Sequence, residues 1–122
     1  GYGVDEMPAF YSRTSGLPVD ARVDSSEAVA RIAEAQSALG IAGALLVAVP
    51  VPHEHEVPAS LLQESLDASL EEAERLGIRG RDLTPFLLTG MSKQSHGATL
   101  SANIALLETN ARVAAKIALA LS

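Results

Sequence analysis

The sequence predicts an α/β protein, and three observations carry that reading. Four segments repeat apolar residues at helical spacing, each bounded by capping residues or Gly. One run, Gly43-Ala44-Leu45-Leu46-Val47-Ala48-Val49, is apolar on both faces and lies between Gly43 and Pro50. That is the pattern of a central strand covered by helices on both sides. The apolar content, 48% of 122 residues, is aliphatic, with two Phe, two Tyr and no Trp. Such a composition suits helices packed on a sheet and is too apolar for a disordered chain.

Residues Gly1 to Asp24 read as irregular, because Pro8 and Pro18 forbid a continuous helix. Phe10-Tyr11-Ser12-Arg13 and Ala21-Arg22-Val23 are candidates for short strands. A first helix follows the capping stretch Asp24-Ser25-Ser26, with Glu27 in its first turn, Ala28, Ile32, Ala35 and Leu39 on one stripe, and Gly40 at its end. After the apolar run comes a proline-punctuated loop, Val51-Pro52 to Val57-Pro58. A second helix spans about Ala59 to Leu76, with Ser60 as candidate cap, Leu62, Leu66, Ala73 and Leu76 near one stripe, and Gly77 closing it. Thr84 is the expected N-cap of a third helix and Pro85 its first residue, with Gly90 a weak link inside and Gly97 at its end. The last helix starts near Thr99 or Ser101 and runs to Ser122, with Ile104, Leu107, Ala111, Ala114, Ala118 and Leu121 tracing a long face. Four helices against one convincing strand leave a buried parallel sheet short of partners. The chain therefore reads as the back portion of an α/β domain.

A net charge of −6 and the lack of any Lys/Arg cluster argue against a nucleic-acid partner. Arg79 and Arg81, the densest basic spot, read as a solvated loop. The absence of Cys excludes disulfides and thiolate metal sites. No stretch approaches the roughly 20 apolar residues of a membrane helix, and no signal peptide is visible, so a cytoplasmic location is the expectation.

Few residues are placed to carry chemistry. His53-Glu54-His55-Glu56 holds imidazoles and carboxylates, which suit zinc or manganese. Its His residues are two apart in a Pro-rich loop, not four apart on a helix face, and a solvated loop is the plainer reading. Asp5 and Glu6 are adjacent carboxylates; in an extended segment they point opposite ways, so at most one enters a pocket. Lys93 and Lys116 are the only lysines, and both read as exposed. Asn103 and Asn110 stand in the last helix. Asn103 lies near its start, where free N–H groups attract anions, and it is either a helix cap or an amide facing a ligand.

Five blocks take the reading further: Gly1-Tyr2-Gly3-Val4-Asp5-Glu6-Met7-Pro8-Ala9-Phe10-Tyr11-Ser12-Arg13-Thr14-Ser15-Gly16, Val23-Asp24-Ser25, Val49-Pro50-Val51-Pro52, Thr84-Pro85-Phe86-Leu87-Leu88 and Ser101-Ala102-Asn103-Ile104-Ala105-Leu106. In content, order and approximate spacing they resemble the pseudouridine-5′-phosphate glycosidase family, also called the indigoidine synthase A-like family. The resemblance implies a three-layer α/β/α sandwich, of which this chain is the C-terminal portion. It implies reversible C–C glycosidic cleavage of pseudouridine 5′-phosphate to uracil and ribose 5-phosphate through a Lys imine, with a Glu general acid, Mn2+, a homotrimer and a cytoplasmic location. The family's Lys lies in a Gly-Ala-Lys stretch upstream of the block that opens here, and this sequence contains no such stretch. Neither Lys93 nor Lys116 matches it. No catalytic residue and no metal ligand is therefore assigned in this chain, and the N-terminal half of the same protein becomes its implied partner. Asn103 matches a position expected to contact substrate. The Asp5–Pro8 segment resembles a loop closing near the active site, and His53–Glu56 falls where the family varies. On this reading the 122 residues alone are inactive. The alternative is a non-catalytic, trimer-forming interaction module built on the same scaffold, and a third is a metal-binding module through His53 and His55.

Overall fold

Capping bonds and left-handed residues mark out the helices. The computed structural model describes residues 1–122 and contains four: α1 (Ser26–Ala38), α2 (Ala59–Arg75), α3 (Leu83–Gln94) and α4 (Ala98–Ala120). The Ser25 side chain accepts a hydrogen bond from Ala28 N at 3.2 Å and caps α1 as expected. Gly40 and Gly77 adopt φ of 65° and 68° just past α1 and α2. Beyond them, Ile41 N and Ile78 N reach back to Gln36 O and Ala73 O at 3.1 and 2.9 Å, satisfying carbonyls at the helix ends.

Three boundaries differ from expectation. Pro58, not Ser60, precedes α2, and no side chain caps it. A 3-10 turn at Gly80–Asp82 feeds directly into α3, so Thr84 and Pro85 lie within its first turn; Pro85 is tolerated there because its missing N–H has no intrahelical partner to lose. The left-handed residue ending α3 is His96, with φ of 51°, and Gly97 N donates to Ser92 O at 2.7 Å. Gly97 instead starts α4.

α2 packs on α3, α4 on α1, and α3 meets α4 at the Ser95–Gly97 corner. α2 and α3 approach closely at Gly90: a Cβ added there would stand 2.6 Å from Ser69 Oγ. The core brings Tyr11, Val51, Val57, Met91 and Ala102 together, with Leu61, Leu62, Leu66 and Ala98 packed against them.

Two expected helix faces are rotated. α1 buries Ser26, Val29 and Ala30, while Ile32 and Leu39 are exposed. α4 buries Thr99, Ala102, Ala105, Leu106 and Val113, whereas Ile104 and Leu107 of the expected face are exposed, Leu107 by 61%. Both helices are apolar around most of their circumference, so spacing alone does not single out the side that touches this chain.

The expected central strand is extended but not part of a sheet. Its only backbone hydrogen bond to the rest of the chain runs from Tyr2 N to Ala48 O, at 2.9 Å. Tyr2 also bridges to Val23, so three extended pieces lie side by side without forming a ladder. Phe10–Arg13 is a turn and not a strand, with Ala9 and Ser12 exchanging both backbone bonds. A strand covered on both faces and both edges needs backbone partners that these residues do not supply to one another. Leu45 and Leu46 accordingly stand exposed, Leu46 by 77%.

Candidate functional site

The polar side chains converge where the opening segment, the 50–58 loop and the start of α4 meet. Tyr11 anchors this region. Its ring is buried in the core, its carbonyl accepts from Val57 N at 3.1 Å, and burial pushes its phenol above the ordinary range, so it stays protonated at neutral pH. The Glu56 carboxylate accepts from Arg13 N at 2.8 Å and from Ser12 Oγ at 3.2 Å. The Arg13 guanidinium donates to Val51 O at 2.7 Å. Together these bonds form a clasp between two segments some forty positions apart, and all of them are partly shielded from water, where charge-assisted bonds are strongest.

The neighbouring carboxylates are also structural. Glu6 accepts from Ser15 N and Gly16 N at 3.1 and 2.8 Å, folding the segment back on itself. Asp5 and Asp24 flank Arg22, at 2.8 and 2.9 Å, and hold its guanidinium above its ordinary value. Both ion pairs are exposed and contribute little stability.

His53–His55 forms a 3-10 turn. His53 and Glu54 are exposed, as a solvated loop implies; His55 and Glu56 are half-buried. His55 Nδ1 lies 3.3 Å from Ser101 Oγ, which ties the loop to α4. No group of three or more His, Asp or Glu side chains is placed to hold a metal ion, so the residues of this chain do not by themselves fit one.

Lys93 and Lys116 are exposed. Asn103 is half-buried in the second turn of α4, past the free N–H groups of the first. The capping reading of Asn103 is therefore wrong. Ser95 Oγ supplies that cap instead, accepting from Thr99 N at 3.2 Å. Asn103, Leu106 and Asn110 share one stripe of α4. Asn110 lines a groove of about 410 Å³ between α4 and residues Val47–Val49. An apolar concavity of about 340 Å³ lies on the other side of the 44–48 segment, against α1 and the opening loop. The Glu56–Arg13 clasp and the His55–Ser101 contact are invisible to local pattern, because their partners are far apart in sequence. The only signal was an Arg directly after an aromatic pair and a hydroxyl.

The arrangement is a braced, partly buried polar edge beside apolar grooves. Known proteins match it along its length. The family described as "Indigoidine synthase A like protein" matches residues 1–120. The pseudouridine-5′-phosphate glycosidases of Rhodospirillum centenum and Myxococcus xanthus are 48% and 46% identical over 120 residues, which is 98% of this chain but 38% and 40% of theirs. The crystal structure of the prealnumycin C-glycosynthase AlnA in complex with ribulose 5-phosphate superposes with a TM-score of 0.85 at 30% identity, over 99% of this chain and 40% of that one. An indigoidine synthase A-like protein from Thermotoga maritima gives a TM-score of 0.78 at 38% identity, over 97% of this chain and 38% of that one. The chain belongs to the indigoidine synthase A-like family. It spans about 40% of the length of the relatives it matches.

Proposed function

We propose that these residues form the C-terminal portion of a pseudouridine-5′-phosphate glycosidase. The whole protein, on this reading, reversibly cleaves the C–C glycosidic bond of pseudouridine 5′-phosphate to uracil and ribose 5-phosphate. The observation that carries the reading is identity of 48% to a glycosidase of that name across 98% of this chain. A neighbour that holds a pentulose phosphate and is named a C-glycosynthase is consistent with it.

Breaking a C–C bond to a base needs an electron sink, and a Lys imine on an opened sugar supplies one. Neither Lys93 nor Lys116 matches the family's Lys, so on this reading that amine belongs to the rest of the protein. The general acid and the Mn2+ ligand belong there too, and no step is assigned to a metal here. This chain contributes walls, and Asn103 contributes an amide to the substrate. The three-layer sandwich, in which Gly43–Val49 is a covered strand, the trimer and the cytoplasmic location are parts of the same proposal. The 122 residues alone are inactive.

Uracil release by the full-length protein tests the reading, together with borohydride trapping of the sugar on a Lys outside residues 1–122. An active full-length protein whose Asn103→Ala variant loses substrate affinity supports it. An inactive, well-folded one rejects it. The exposed apolar side of α4 favours one other reading, a non-catalytic assembly module. Discrete folded trimers of this chain, without activity in the full-length protein, would select that reading.

A further inference from the structure

We draw no further inference here: the strongest candidate, the apolar concavity of about 340 Å³ between α1, the opening loop and residues 44–48, is an unpartnered apolar face, and nothing in the structure shows what covers it.

Discussion

The α2–α3 pair and the half built from α1, α4 and the Gly43–Val49 segment obey different rules. The first is closed upon itself. Its helices approach closely at Gly90 and Ser69, and α2 buries Ser65, Ser69 and Ala73 against its neighbour. The second is open. Leu45, Leu46, Leu100, Ile104 and Leu107 all face outward. Small side chains set the spacing in the closed half, which leaves Leu70, Leu76 and Leu88 partly exposed, whereas the open half exposes more of its large aliphatic side chains, Leu46 and Leu107 among them. A helix pair can complete its own hydrogen bonds and bury one stripe. A strand and an all-round apolar helix depend on further layers.

Overpacking the closed half gives the largest effect. Gly90→Leu forces α3 away from Ser69 and lowers stability by about 3 kcal/mol in urea melts. Gly90→Ala costs less, because roughly 1 kcal/mol of helix propensity is regained. In the open half, Leu46→Glu and Leu107→Glu change the stability of this chain by no more than about 0.5 kcal/mol, as surface substitutions do. The same changes in the full-length protein lower stability by about 2 kcal/mol or more if other layers cover these side chains. Equal, small effects in both settings would end the contrast between the halves.

Smaller gains mark local defects. Ser65 Oγ is buried without a hydrogen-bond partner, so Ser65→Ala raises stability by about 1 kcal/mol. His96 holds a left-handed φ that Gly adopts freely, so His96→Gly adds roughly 0.5–1 kcal/mol. Both are read from denaturation midpoints. Last comes pH. Hydrogen bonds from its own backbone N–H and from Ser25 hold the exposed Glu27 carboxyl below its ordinary value, with Arg31 and Lys116 assisting. A depressed folded value means that stability is present above the unfolded carboxyl pKa and lost as pH falls through the folded one. A Glu27→Gln variant therefore shows a shallower acid-side decline in melting temperature than the parent.

Helix existence was legible in the sequence because it is local. Ser25 capped α1, and Gly40 and Gly77 closed α1 and α2, as their chemistry demands. The boundaries at Ser60, Thr84 and Gly97 were not legible, because Pro58, the 3-10 turn at Gly80–Asp82 and the left-handed His96 did the work instead. Of the site, the blocks around Tyr11 and Asn103 were visible as motifs. The role of Glu56 was not, since its partners are Ser12 and Arg13, more than forty positions away.

The sequence by itself determined the four helices, two of their left-handed ends and the family, since each rests on neighbouring residues or on whole blocks of residue identity. Only the tertiary structure decided which side of α1 and α4 is buried, and that the Glu56 loop clasps the Phe10–Arg13 turn. The reason is physical. An apolar helix has several faces of equal hydrophobicity, and a carboxylate has many possible donors, so the choice among them belongs to whatever the rest of the chain brings within reach.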